Sequence, residues 1–417
     1  MIDKGTILTL DVEKPAAGGR MLARHEGQVV LVWGAIPGER VRARVERAGK
    51  GVLYAETVEV VAASPDRKAG TIDWRCGGNV YAHVAYARQL TLKGEIIQDA
   101  FGRIGRVPLT TRPEVMASPD TGYRMRARLH ARGGRLGFFR EGTHEICDAA
   151  STGQLLPSTH AWIAEAQRLL ANERGIDAIE IAENVPGDER AWHLEMHDGA
   201  AAPSSAAIAA ALGEAQYVSD DIHVTKGGTP LTLRRHVRAF FQGNRFLLEP
   251  LVRHVIGLVP LGPVVDLYAG VGLFGLSLAA AGAEKVTLVE GDPTSRADLK
   301  ANAVPFAGQV RVERRSVEEF LAPAGTKART PAGPPQKERH TGVTFVIDPP
   351  RTGMSKDAIA GIIRARPARI VYVSCDVATL ARDTRTLLDA GYELAGVTGI
   401  DLFPNTAHVE SVALFIV

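Results

Sequence analysis

Cysteine is scarce in this 417-residue chain: only Cys76, Cys147 and Cys375 are present. Three widely scattered thiols cannot build a disulfide framework, and no His/Cys cluster has zinc-ligand spacing, so a disulfide-stapled scaffold and a zinc fold are both excluded. No metal is expected, and any thiol that matters is expected to work alone. The chain also lacks a run of eighteen uninterrupted apolar residues, which excludes a conventional membrane-spanning helix. Its N-terminus, MIDKGTILTLDVEKPAAGG, mixes acids with bases where a secretion signal is basic and then apolar. A soluble, cytoplasmic protein with no membrane partner is the expectation. No charge of one sign dominates either: 49 basic residues face 47 acidic ones for a formal net charge of +2, which excludes a histone-like polycation. With 45% apolar residues the chain can bury a core, and its length allows two or three domains.

What is present changes texture along the chain. Over residues 5–61 the runs TILTLDV, GQVVLVWG and ERVRARVERAGKGVLYAETVEVV alternate apolar with polar and are broken at Gly18-Gly19 and Pro37-Gly38. Five strands at hairpin spacing predict a small OB-like β-barrel over 1–62, an architecture that often carries oligonucleotides, although a purely structural cap shows the same pattern. Leu90, Ile97 and Phe101 share a helical face, predicting an amphipathic helix over 85–106 that packs on the C-terminal part. In YRMRARLHARGGRLGFFR, residues 123–140, Arg124, Arg126, Arg128 and His130 alternate with Met125, Ala127, Leu129 and Ala131 before a turn at Gly133-Gly134. Six arginines, no acid and three aromatic rings suit phosphate contact and base stacking, where the plain alternative is a solvated strand pair. Residues 63–236 as a whole read as an α+β middle domain.

Past Arg238 the apolar runs VVDLYAG, KVTLVEG, VTFVIDPP and RIVYVSC alternate with helical stretches. They predict buried parallel strands of a doubly wound, Rossmann-like α/β sheet over 237–417. The aperiodic stretch rich in Pro, Gly and basic residues within 321–342 reads as a mobile insertion. Gly270, Gly272 and Gly275 form G-x-G-x-x-G after the first of these strands, and Glu290 closes the second, placed to accept hydrogen bonds from ribose hydroxyls. That layout serves nicotinamide enzymes and nucleoside-cofactor methyltransferases alike. Asp348 in VIDPPR, on a loop stiffened by Pro349 and Pro350, favours the methyltransferase.

Five ordered motifs, FFQGN, DLYAGVGLFG, DPPRTG, YVSCDVATLARD and DLFPNTAHVESVALF, follow the N-terminal barrel. Together they give the chain, over nearly its whole length, a resemblance to the S-adenosylmethionine-dependent RNA uracil-C5 methyltransferases with a TRAM-type barrel. The resemblance implies that Gln242, Tyr268, Gly270, Gly272, Glu290 and Asp348 line the cofactor site. Leu273 stands where some relatives carry Asn, so one polar contact is missing. It further implies Cys375 as the nucleophile that adds to uracil C6 and Glu410 as the acceptor of the C5 proton. Cys375 ends an apolar strand and opens a helix, where amide dipoles are expected to favour the thiolate. Arg351 and His408 are candidates for contacting the uracil or orienting Glu410, and Arg124, Arg126 and Arg128 for binding RNA.

One departure stands out. Many relatives ligate an iron–sulfur cluster through four cysteines, whereas this chain keeps Cys76 alone and has Gly70, Asn79 and Thr152 near the other three positions. No cluster is expected, and Cys76 and Cys147 are expected to be ordinary buried residues. The predicted enzyme methylates uridine in 23S ribosomal RNA, with transfer RNA as the alternative, and has no obligate protein partner. Rival classes are a non-catalytic RNA-binding scaffold, a nicotinamide oxidoreductase and a cytosine-C5 methyltransferase.

Overall fold

The computed structural model describes residues 2–70, 73–199, 210–213, 215–225, 228–323 and 342–417. In RVRARVERAG the strand alternation turns Arg40, Arg42 and Arg44 outward and buries Val41, Ala43 and Val45. Five such strands, β1 (Ile7–Pro15), β2 (Met21–His25), β3 (Gln28–Trp33), β4 (Arg40–Gly49) and β5 (Val52–Ala62), close into a barrel in the order β1-β2-β3-β5-β4. Closure leaves no free edge. Val80, Tyr81, Val84 and Leu92 pack into the same core as Leu10, Val30 and Val32, so the barrel is plugged by the segment that follows it.

The predicted amphipathic helix forms as Tyr86–Ala100 and continues as a π turn, Phe101–Gly105, that stops at Arg106 in the left-handed region. Ile97, Ala100 and Phe101 pack with Val377, Leu380 and Ala381. The next strand, β6 (Val115–Met116), pairs with the far edge of the C-terminal sheet. The chain then builds β7 (Arg126–Arg132), β8 (Arg135–Phe139), β9 (Ile146–Cys147), β10 (Ile176–Glu183) and β11 (Arg190–Met196), ordered β11-β10-β7-β8-β9. The β7–β8 turn is the predicted one, with φ of 58° at Gly133 and 71° at Gly134, the left-handed pair that a two-residue hairpin loop requires. Helix Pro157–Leu170 covers one face of this sheet, setting Ile163 and Ala166 against Leu129 and Ile179.

The cysteines depart from expectation. Cys76 and Cys147 are joined by a disulfide, so the two are bonded to each other rather than isolated core residues. Local spacing hides this pairing: an isolated bridge between Cys76 and Arg140 lays the segment around residue 76 along the β8–β9 hairpin.

The hairpin of β12 (Tyr217–Ile222) and β13 (Leu231–His236) packs its inner face on the C-terminal core. Beyond it, β14 (Val264–Leu267), β15 (Val286–Val289), β16 (Val310–Glu313), β17 (Thr344–Ile347), β18 (Arg369–Ser374), β19 (Glu393–Ile400) and β20 (Glu410–Ile416) form the main sheet. Its order is β16-β15-β14-β17-β18-β20-β19-β6, parallel from β16 to β18, with β20 running antiparallel between β18 and β19. The central strands are buried on both faces, which is why they read as unbroken apolar runs. Strand order reverses between β14 and β17, and that switch point opens a crevice at their carboxyl ends. Of the insertion expected over 321–342, residues 324–341 lie outside the described residues.

Candidate active site

At the β14 end of the crevice, the Gly270 N–H donates to Glu290 Oε2 at 2.7 Å and the Asp292 N–H to Glu290 Oε1 at 2.6 Å. Burial raises the Glu290 carboxyl above its ordinary range. Each oxygen keeps lone-pair capacity for a ribose hydroxyl. Behind this loop, Asp266 Oδ2 accepts the Gly275 N–H at 2.8 Å, which ties the glycine turn to the strand. A Cβ on Gly275 would lie 2.1 Å from Leu288 Cδ2, so the third glycine is there for close helix–strand packing. Tyr268 is held at φ +63°, a conformation costly for an aromatic residue, beside the glycine turn. Leu273 is buried in the sheet's apolar core, so it offers the crevice no polar group.

The third strand end supplies Asp348. Gln242 Nε2 donates to Asp348 Oδ2 at 3.2 Å, bringing FFQGN and DPPR together across the crevice, and burial pushes the Asp348 carboxyl up to about 7. Phe240, two residues before Gln242, is 62% exposed with the Arg126 guanidinium 5.9 Å from its ring. Sequence reasoning missed this residue; its signal was an aromatic pair beside a polar motif.

The β18–β20 register explains how nucleophile and base meet. Ser374 lies opposite Ser411 as the last pair of the register, so Cys375 and Glu410 adjoin the same strand end, close enough for the Glu410 charge to act on the thiol. Glu410 is only 2% exposed and its Oε1 has no hydrogen-bond partner among the described residues, which leaves an acceptor open. Burial, then the Asp348 charge, holds its carboxyl well above the usual range, with Arg351 opposing. Burial and the charges of Glu410 and Asp348 likewise push the Cys375 thiol up to about 11. This corrects the expectation of a thiolate favoured by helix amides. The helix begins only at Val377, and Asp376 caps it by accepting the Thr379 N–H at 2.8 Å, so the amide field is already answered by a carboxylate.

Arg351 is exposed, its guanidinium has no partner among the described residues, and its charge reaches Cys375, Glu410 and Arg124. His408 is exposed, makes no side-chain hydrogen bond among the described residues, and meets Phe403 edge-on at 6.2 Å. The hairpin arginines are less free than their pattern suggested. Arg124 donates to Gln154 Oε1 at 2.6 Å. Arg126 is pushed down to about 10 by burial and then by Arg235. Arg128 is paired with Glu195. Only Arg124 and Arg126 reach toward the crevice, through Arg351 and Phe240 respectively.

Side chains from outside the sheet fix residues 401–408, the loop leading to Glu410. Lys93 is fully buried, pairs with Asp401 and donates to Phe403 O at 2.9 Å. Tyr86 donates to Asp401 Oδ2 at 2.8 Å, Gln89 to Asn405 Oδ1 at 2.9 Å, and Asn244 to Leu402 O at 3.2 Å. At the former cluster positions, Thr152 donates to Ala149 O and Asn79 is buried; among the described residues no three His, Cys, Asp or Glu side chains converge as metal ligands. No helix among the described residues is long and apolar enough to cross a membrane.

A family model described as tRNA (Uracil-5-)-methyltransferase matches residues 210–416, and one described as the TRAM domain matches residues 3–58. A 23S rRNA (uracil(1939)-C(5))-methyltransferase from Chromohalobacter salexigens is 33% identical, covering 99% of this chain and 90% of that protein. An uncharacterized RNA methyltransferase from Streptomyces avermitilis is 30% identical over 97% of both. The crystal structure of a Pyrococcus abyssi tRNA (uracil-54, C5)-methyltransferase with S-adenosyl-L-homocysteine has the same fold, with a TM-score of 0.72 at 23% identity, covering 98% of this chain and 99% of that one. On its barrel, its sheet and these full-length likenesses, the chain belongs to the S-adenosylmethionine-dependent RNA uracil-C5 methyltransferase family.

Proposed function

We propose that this enzyme methylates C5 of a uridine in 23S ribosomal RNA, in the cytoplasm, through a transient bond between Cys375 and uracil C6. The observation that carries the reading is the nearness of Cys375 to Glu410 and Asp348, whose charges act on its thiol, beside the Gln242 and Glu290 hydrogen bonds of the same crevice. Asp348, Gln242 and Glu290, with Tyr268, Gly270 and Gly272, would hold S-adenosylmethionine, which when bound supplies an electrophilic methyl group. The carboxyl groups of Glu290 and Asp348, which keep lone-pair capacity beyond the bonds they accept, fit a ligand rich in hydroxyl and amino groups.

Uracil C5 is a weak nucleophile until sulfur adds at C6. The Cys375 thiol gives its proton to solvent, the sulfur bonds to C6, and the ring electrons move to the C5–C4–O4 enolate, where the Arg351 cation offsets the charge. C5 would then take the methyl group with the enolate electron pair, the bond from that methyl to the sulfonium breaking with its electrons left on sulfur. Glu410 accepts the remaining C5 proton, and the electrons of that C–H bond reform C5=C6 as the sulfur leaves. A buried carboxylate holds that proton firmly, which suits the acceptor role. The base must leave its stack to arrive here. Phe240 offers it a ring, and Arg124, Arg126, Arg128 and His408 are proposed contacts of the surrounding RNA.

Incubation with labelled cofactor and unmodified 23S rRNA or tRNA transcripts, followed by nucleoside analysis, tests this. The expected product is 5-methyluridine in 23S rRNA, absent with Cys375→Ala. Product in tRNA alone moves the substrate, 5-methylcytidine moves the base, and the absence of any methylated nucleoside defeats the reading.

A further inference from the structure

A hollow of about 210 Å³ opens beside Cys375, walled by Pro15 and Gly18 at the end of the first barrel strand, by Ile96, Asp99 and Ile104 at the end of the long helix, and by His408. Gln242, Asp348 and Glu410 do not line it, so Cys375 stands between this space and the crevice of the proposed reaction. We infer that the hollow receives the base adjacent to the target uridine in the RNA chain, an inference that rests on the function proposed above.

Size, chemistry and position support one occupant. Sites for drug-sized ligands run to about 300–1,000 Å³, so this volume is too small for a nucleoside cofactor and suits a single ring system. Its walls combine Ile96, Ile104 and Val409 with the polar side chains of Asp99, Arg103, Asp376 and His408, a make-up that can both stack on a base and hydrogen-bond its edge. The His408 imidazole has no hydrogen-bond partner among the described residues, and desolvation followed by the charges of Arg351 and Lys93 lowers its pKa, favouring the ring form that offers one donor and one acceptor. Asp99 is fixed at the rim, with Lys14 of the barrel donating to it at 2.9 Å and Arg103 paired to its other oxygen. An RNA that delivers one flipped base to Cys375 necessarily carries its neighbour to within one nucleotide of that sulfur. Capturing the neighbour would hold the flipped state open and would give the barrel a direct part in placing the target.

The test uses full-length enzyme, S-adenosylmethionine and synthetic RNA spanning the methylated uridine, intact or with one neighbour at a time made abasic. Wild-type enzyme is expected to lose about tenfold or more in kcat/KM at one abasic position. Ile104 is 42% exposed at the rim, so Ile104→Trp fills the hollow from outside. This variant is expected to lose a similar factor on intact RNA and nothing further on the sensitive abasic RNA, because both changes remove the same contact. His408→Ala should reproduce the loss and His408→Gln, which keeps a donor and an acceptor, should restore most of it. Losses that multiply, wild-type rates in Ile104→Trp, or a block of 5-fluorouridine trapping even on abasic RNA would overturn the inference, the last by showing that the target base itself sits there. A wild-type enzyme that methylates but ignores abasic neighbours defeats this inference alone, whereas one that methylates no RNA defeats the function reading beneath it.

Discussion

Cys375 is placed for addition to a ring yet is held as a thiol. Its proton is retained to about pH 11 because burial and two neighbouring carboxylates outweigh Arg351. The thiolate is the reactive form, so alkylation of the resting enzyme by iodoacetamide should be slow at neutral pH and rise about tenfold per pH unit toward that value. Since Cys76 and Cys147 are bonded to each other, the native protein reports this sulfur alone. Glu410→Gln removes a charge that raises the thiol, so the alkylation midpoint should move down in pH. A wild-type midpoint at or below the ordinary thiol value, about 8.5, would contradict the arrangement described here. Identity and ionisation differ in how far the sequence discloses them. Cys375 and Glu410 could be named as candidates because each stands in a contiguous motif. The state of the thiol was not, because it depends on carboxylates that strand pairing brings in from two other motifs.

The helix Tyr86–Ala100 shows a similar divide. Its existence and its docking follow from Ile97 and Phe101, which are fully buried. Its most consequential residues, Gln89 and Lys93, are just as buried, while Leu90 of the predicted apolar face is only half-buried. Residue type assigns Lys93 to the solvent side. Only the tertiary structure supplies Asp401, the Phe403 carbonyl and the loop ahead of Glu410 as its partners. Lys93→Met would leave Asp401 buried without its counter-charge, a loss of about 3–5 kcal/mol in unfolding free energy by urea titration. Adding Asp401→Asn should recover part of it, since the stranded charge is then gone. A loss under about 1 kcal/mol, or no recovery in the double variant, would show that the pair does not anchor this loop. The barrel, the β7–β8 hairpin and the parallel strands were legible for the opposite reason: each is specified by a local period and local turn residues, as with Gly133-Gly134. The joining of β6 to the far edge of the sheet was not, since two residues carry no period.

Over the whole molecule, two features couple stability to solution conditions. The disulfide closes a separation of 71 residues and ties the segment after the barrel to the middle sheet. Closing a loop of that order is worth about 2–4 kcal/mol. Cys147→Ala should therefore unfold at lower urea by that amount, and dithiothreitol should bring wild-type protein down to the variant's level. Thiol titration in denaturant without reductant should find one free thiol; three would refute the bond. The second feature is the buried acid beneath the cofactor loop. Asp266 Oδ1 has no hydrogen-bond partner among the described residues, and burial pushes its carboxyl from an ordinary value of 3.8 up to about 8. The folded protein thus keeps a proton that the unfolded chain releases. The stabilisation from this group is complete below the unfolded pKa and is lost as pH rises to about 8, at up to roughly 1.4 kcal/mol per pH unit. Asp348, pushed up to about 7, acts with the same sign over a narrower window. Asp266→Asn keeps an acceptor for the Gly275 N–H and cannot ionise, so its unfolding free energy should fall less steeply between pH 5 and 8 and exceed that of wild type at pH 9. Parallel curves for the two proteins across that interval would mean that Asp266 is already ionised in the fold, and the polarity assigned to the floor of the crevice would have to be reversed.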